Sequence, residues 1–337
     1  MKQIEKYLQL PLAYFETTGI TNPAQLGSVR EDAVITWIGR FGMSSKTVLQ
    51  QLLSLTREAV NKLVNRMKRK GLLHIHQTFG NTDQAFIVLT SAGIRRAEFL
   101  LQQELHLKSD ASRINERNLV HDLSIQLVVI NLIRDNKIDG LITERELALC
   151  LDQRKNDDRL VDGIVRLTGS KANVAIEMET SNSKNKGNGE LRKRILDKYH
   201  QQLQLKDGLY SQVYMYSHRQ RFLTQIEKSH QRIFTSPKFG FTEQQVTILK
   251  YNIKFKSHEC SHIYELMFNY GRKLTFETNA PEINIKGYLE KLDELTALAE
   301  STSDTVLQLR LDGFKDAGVV LEILSEDGNR SVSKDFP

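Results

Sequence analysis

Cysteine is nearly missing from this sequence of 337 residues: Cys150 and Cys260 are its only two. That is too few for a disulfide framework or a four-cysteine zinc site. With 19 glycines and 5 prolines, collagen-like, low-complexity and wholly disordered chains are excluded. Nowhere do about 18 apolar residues run together, and the opening residues MKQIEKYLQL are interrupted by charge. Neither a membrane span nor a signal peptide is therefore expected, and the cytoplasm is the expected location. Gly187-Asn188-Gly189 lacks the Lys-Ser/Thr ending of a phosphate loop, and no Gly-x-Gly-x-x-Gly follows a strand pattern. A nucleotide cofactor is not expected. What remains is an ordinary globular composition, 40% hydrophobic and 26% charged, long enough for two packed units.

Charge is present but unevenly spread. The chain holds 47 basic against 41 acidic residues, a net of +6. Between Arg40 and Lys70 lie eight basic residues and one acid, Glu58. This segment alone outweighs the whole molecule's net charge, as a footprint for phosphate backbones would.

The surrounding pattern gives the footprint a shape. Arg30 to Phe41 reads as a helix closed by Gly42, and Lys46 to Leu53 as a second, capped by Ser44 or Ser45. In a third, Thr56 to Arg69, the residues Val60, Leu63, Val64 and Met67 recur on one face. The other face carries Arg57, Asn61, Lys62, Asn65, Arg66, Lys68 and Arg69. After Gly71 the period drops to two, through Leu73 and Ile75 and, past a Gly80 to Asp83 turn, Phe86 and Val88. That is a hairpin. Helix, helix, basic helix, hairpin is the order of a winged helix-turn-helix, with Lys46 and the polar residues of the third helix as expected DNA contacts. A helix from Ser91 to Gln103 leads out of the module.

Downstream, a helix (Ile114 to Asn136), strands at Gly140 to Thr143, Leu160 to Leu167 and Val174 to Glu179, a helix (about Glu190 to Leu205) and a strand (Gln212 to Tyr216) are expected. The fold class is α/β (α+β), a mixed sheet flanked by helices. In a strand Glu177 and Glu179 point the same way, and Asp162, beside Gly163, meets them if the two strands pair. Carboxylates this close are costly without a cation between them, which points to a hard divalent metal. Lys198 on the next helix, one to two turns past a basic cluster (Lys184, Lys186, Arg192, Lys193 and Arg194), would steady negative charge during phosphodiester cleavage.

Val161-Asp162-Gly163, then Glu177-Met178-Glu179, then Lys198-Tyr199 resembles a variant of the PD-(D/E)XK nuclease motif. A winged helix followed by such a unit, over roughly residues 28 to 217, resembles the replication-relaxation and MOB-C relaxase families of mobilisable plasmids and integrative elements. The resemblance implies Asp162, Glu177 and Glu179 as ligands of Mg²⁺ or Mn²⁺, and strand nicking of double-stranded DNA at an origin-type site. A second copy of the chain or an accessory mobilisation protein would complete site selection. Two departures stand out: Val161 replaces the usual proline, and Glu179 occupies the place of the motif's lysine. The alternative is a non-catalytic winged-helix regulator or replication accessory factor with a degenerate nuclease domain.

Glu144, Glu146, Glu116 and His121 are second-rank site candidates, with the two first-strand glutamates ahead of the histidine, and Tyr199 is an alternative nucleophile. His258, Cys260 and His262 alternate at strand spacing but have no second cluster to complete a zinc site. Tyr210, Tyr214 and Tyr216 read as packing. The expected organisation is an N-terminal extension (1–27), the winged helix (28–108), the nuclease-like unit (113–270), a C-terminal extension (271–324) and a polar tail (325–337). In the last third, Val246 to Phe255 reads as a strand, Ile283 to Ala299 as a helix, and Val306 to Leu311 and Val319 to Leu324 as strands.

Overall fold

In the computed structural model, the described residues are 2–11, 14, 20–78, 81, 83–107, 109–115, 118–151, 160–170, 172–180, 189–205, 208–217, 219–256, 263, 266, 322–324 and 330–332. The expected helix at 283–299, the strand at 306–311, and Glu116, Lys184, Lys186, His258, Cys260 and His262 lie outside them.

After a short helix α1 (Lys2–Glu5), the N-terminal half is built from α2 (Pro23–Phe41), α3 (Lys46–Leu53), α4 (Arg57–Arg69), β1 (Leu73–Gln77), β2 (Ala85–Leu89) and α5 (Ser91–Leu101). Local chemistry sets the boundaries. Asn22 caps α2 by accepting the Ala24 amide at 2.9 Å, and Pro23 occupies the first turn, so the helix starts seven residues before the expected Arg30. Gly42 ends it at φ 86, a left-handed conformation suited to glycine. Ser45 caps α3 and Thr56 caps α4. Strands β1 and β2 pair antiparallel from Leu73↔Leu89 to Gln77↔Ala85, and Ser44 bridges to Ile87 on the far side of β2.

The second half contains α6 (Leu119–Arg134), β3 (Ile138–Thr143), α7 (Glu144–Cys150), β4 (Gly163–Leu167), β5 (Asn173–Met178), α8 (Glu190–Gln204), β6 (Gln212–Tyr216), α9 (Gln220–Thr235), α10 (Glu243–Asn252) and β7 (Ile253–Lys256). The five strands form one mixed sheet in the order β3-β4-β5-β6-β7. The β3/β4 and β4/β5 pairs are antiparallel, while β5/β6 and β6/β7 are parallel. One face, with Val165, Val174, Ile176, Met178 and Tyr216, packs under α6. The other, with Ile164, Ala175, Val213 and Met215, packs under α8 and α9.

Four expectations need correction. The helix expected over Ile114 to Asn136 is shorter, because a 3₁₀ turn (Ala111–Arg113) precedes it and Asn136 sits at φ 51. Residues 144–150 form α7 through a Thr143–Glu146 capping box. Val246 to Phe255 is mostly helix: Thr242 and Gln245 form a second capping box that starts α10, leaving only Ile253–Lys256 for β7. Part of the expected loose tail is a strand, since β9 (Arg330–Val332) pairs with β8 (Glu322–Leu324).

The two halves share one apolar core. Trp37, Ile38, Val48 and Leu49 belong to the same buried cluster as α6 and the sheet face beneath it. Buried Gln126 of α6 ties the halves together: its Oε1 accepts from Trp37 Nε1 and Ser44 Oγ, each at 2.8 Å, and its amide donates to Met43 O at 3.0 Å.

Candidate active site and nucleic-acid interface

The sheet register sets Asp162 and Glu177 opposite one another at the ends of adjacent strands. The last paired step between β4 and β5 is Gly163↔Ile176, and the next residues outward are Asp162 and Glu177. Where the main-chain ladder stops, the Asp162 carboxylate takes over by accepting the Met178 amide at 2.7 Å. Both acids are buried. Buried carboxylates are expensive unless hydrogen-bonded or paired.

Each of the three acids is engaged differently. Asp162 lies 3.2 Å from His121 Nε2, whose Nδ1 lies 3.0 Å from Asp122. The main-chain N–H of Glu144 donates to Asp162 O at 3.2 Å, and Glu144, His121, Asp122 and Asp162 line one cleft of about 230 Å³ on the α6 side. Glu179 follows the end of β5 and pairs with Arg192 of α8 at 3.1 Å, with both side chains buried. Glu177 lines a cavity of about 130 Å³ on the α8 side, with Lys198, Tyr210 and the apolar Val161 and Ile195. Burial together with the Glu177 charge pushes the Tyr210 hydroxyl pKa far up. Among the described residues, no group of three or more His, Cys, Asp or Glu side chains is placed to hold a metal ion.

The second-rank residues sort differently from the sequence order of preference. His121 reaches Asp162, whereas Glu146 is drawn away into a buried pair with Arg40 at 2.7 Å. Tyr199 packs in the core beneath α8, as do Tyr210 and Tyr216 in their own clusters. Nothing in the local sequence marks His121, because its partner lies 41 positions away on another element.

Burial opposes the charge on His121, but Asp162 and Asp122 outweigh it, and its pKa is raised well above 6.5. A folded pKa raised above the unfolded one gives stability that is complete below the unfolded value and is lost as pH rises through the folded value. Stability should therefore decline as pH climbs from about 6.5 through the raised value. Replacing His121 with Gln should remove that decline in urea titrations repeated across alkaline pH. An equally steep decline in the variant would assign it to another group.

On the basic helix, burial divides the expected contacts. Lys62, Asn65, Lys68 and Arg69 are exposed, while Lys46, Arg57, Asn61 and Arg66 are half-buried. Arg57 pairs with Asp83 of the hairpin connection at 2.6 Å, and Arg66 and Lys70 both pair with Glu31, at 2.7 and 2.8 Å. Arg40, counted in the basic footprint, is buried and faces the sheet. The face left open to a ligand is thus Lys62, Asn65, Lys68 and Arg69.

No helix among the described residues is long and apolar enough to cross a membrane. Compared with protein-family models, with curated proteins and with solved structures, the chain matches none.

Proposed function

We propose that this chain grips duplex DNA with α4 and the β1–β2 hairpin and nicks one strand in a divalent-cation-dependent reaction, at the sheet end where Asp162 and Glu177 stand. The observation that carries the reading is their placement one step beyond Gly163↔Ile176, with Lys198 lining the cavity that Glu177 enters. The element order α6-β3-α7-β4-β5-α8-β6, antiparallel then parallel, supports a PD-(D/E)XK nuclease reading with α7 as an insertion between the first two strands. The order α2-α3-α4-β1-β2 is the one a winged helix requires. Initiation of plasmid or integrative-element mobilisation or replication is the role these two readings suggest together.

The chemistry of the donors suits a hard cation, since Mg²⁺ is commonly held by one or two carboxylates with water and substrate phosphate completing its shell. Asp162 and Glu177 line cavities on the α6 and α8 sides of the sheet respectively, so an ion held by both would have to sit at the strand end between them. Bound there, Mg²⁺ or Mn²⁺ would neutralise charge at the scissile phosphate and acidify a water. The chain's own residues do the rest. The Met178 amide and His121 orient the Asp162 carboxylate. Lys198 brings a cation towards negative charge developing at the phosphate. We assign Glu179 to Arg192, not to the cation.

The test is conversion of supercoiled plasmid, bearing the DNA that flanks the coding sequence, to nicked circles with Mg²⁺ or Mn²⁺. Nicking is expected for the native chain and not for Asp162→Ala or Glu177→Ala; undiminished nicking by both would mean the site lies elsewhere. For duplex grip, Lys62→Ala with Lys68→Ala and Arg69→Ala should lower the slope of log affinity against log salt by about 0.9 for each phosphate no longer neutralised. Arg57→Ala with Arg66→Ala should lower it less, since both are held by internal acids.

A second reading, a DNA-binding protein whose nuclease-like unit is inactive, is favoured by one observation. Glu179–Arg192 and Asp162–His121 already neutralise two of the three acids. Binding without nicking in the same assays would select it.

A further inference from the structure

Residues 219–256 hold a second concentration of positive charge, eight basic residues against Glu227 and Glu243. Much of it is ordered along α9. Arg221, Lys228 and Arg232 are all exposed. At positions i, i+7 and i+11 they fall within about 20° of one line along the helix, spanning about 16 Å. Exposed Gln225 continues the stripe, and Glu227 lies off it.

Of the three cations, only Arg232, in the last turn, has the sign that the helix dipole favours. The first turn contains no acid and does contain Arg221, the wrong sign for the positive end of the helix dipole. Lys228 and Arg232 are like charges at i, i+4, which repel. Among the described residues, the ion pairs of α8 join Glu179 to Arg192, Asp197 to Lys193 and Glu190 to Lys238, and none takes Arg221, Lys228 or Arg232. Arg57, Arg66 and Lys70 of the α4 region, by contrast, are answered by Asp83 and Glu31. Among the described residues the α9 stripe lacks an acid to answer it, and its charge is complementary to an extended anion.

Its position suggests which anion. Helix α9 leaves the sheet directly after the C-terminal end of β6, whose Tyr216 carbonyl accepts the Glu179 amide at 2.9 Å. The stripe therefore begins at the sheet end that carries Asp162, Glu177 and Glu179. Phe222, beside Arg221 in the first turn, is buried, so the stripe offers cations rather than stacking rings. That favours a duplex backbone over a single strand.

We infer that the exposed face of α9, through Arg221, Lys228 and Arg232, is a second DNA-contacting surface that holds the phosphate backbone of the duplex, independent of sequence. Its length matches roughly five phosphate steps along one strand. The inference rests on the duplex-binding part of the proposed function and not on cleavage.

The experiment measures binding of the full chain to a long mixed-sequence duplex, without divalent cation, by fluorescence anisotropy across a salt series. The variants are Arg221→Gln with Lys228→Gln and Arg232→Gln, and the α4 triple alanine variant. These exposed substitutions should not lower the urea midpoint. The α9 variant should lose roughly 40-fold less affinity than the native chain between 50 mM and 200 mM salt, the effect of leaving three phosphates without a cation. An unchanged salt slope in the α9 variant beside a reduced one in the α4 variant would overturn this inference and leave the duplex reading intact. Failure of the native chain to bind duplex would overturn both. Binding to phosphatidylserine vesicles that the α9 substitutions abolish, with duplex binding unaltered, would assign the stripe to a membrane surface and also overturn it.

Discussion

Glu146→Ala is expected to destabilise the protein by about 3–5 kcal/mol, enough to leave a marginally stable chain largely unfolded. Glu146 is the counter-ion of Arg40, and both side chains are almost completely buried. The Arg40 guanidinium donates to both carboxylate oxygens, at 2.7 and 2.9 Å, and also to the carbonyls of Tyr7, Gln9 and Leu141. In the native chain Glu146 keeps the Arg40 pKa raised against the effect of burial; removing the carboxylate strands a guanidinium that stays charged and so cannot titrate away. The same substitution breaks the α7 capping box, in which Glu146 accepts the Thr143 amide at 2.8 Å. Arg40→Met combined with Glu146→Leu should recover part of the loss, because it leaves neither charge uncompensated, although the capping box stays broken and the carbonyls of Tyr7, Gln9 and Leu141 lose a donor. Urea unfolding monitored through Trp37, packed in the shared core, reads both variants. A loss below about 1 kcal/mol for Glu146→Ala, the range of exposed pairs, would show that the pair is hydrated.

This pair also shows where a sequence stops being legible. Arg40 belongs to a run of basic residues and Glu146 to a polar Thr-Glu-Arg-Glu stretch, so one is counted in the basic footprint and the other is a second-rank site candidate. Their pairing spans 106 positions, and no local pattern announces a partner so remote. The periodic elements are readable because their signals are local. Alternating and helical apolar spacing marks α3, α4, β1 and β2, and glycine, serine and threonine fix the helix ends. Helix α10 reads as a strand because Val246, Ile248 and Ile253 are β-branched, and only its capping box at Thr242 and Gln245 signals otherwise. In the site, the Glu177–Glu179 spacing announces a shared strand face, and both side chains do turn to α8. Arg192 reads as part of a basic cluster; its burial against Glu179 depends on how α8 lies across the sheet.

Glu179→Gln and Glu177→Gln are therefore expected to fail in different ways, although the residues stand two apart. Glu179→Gln leaves Arg192 buried without its counter-ion, at a cost of about 3–5 kcal/mol. His230 of α9 is neutral at ordinary pH, its pKa lowered to about 3 by burial and by the Arg192 charge, so it cannot substitute as an anion. Nicking by the folded fraction should nevertheless persist. Glu177→Gln removes a carboxylate from the cavity it shares with Lys198, Tyr210 and apolar side chains, and its main effect should fall on nicking. The Tyr210 hydroxyl should titrate lower once the negative charge beside it is gone. Its nicking should fall by more than about 100-fold, beyond what loss of an outer-shell partner of a metal typically costs. Urea midpoints, a spectroscopic tyrosine titration and the plasmid assay separate the roles. If Glu179→Gln kept its stability and lost all nicking, Glu179 would hold the cation and Arg192 would have some other source of compensation.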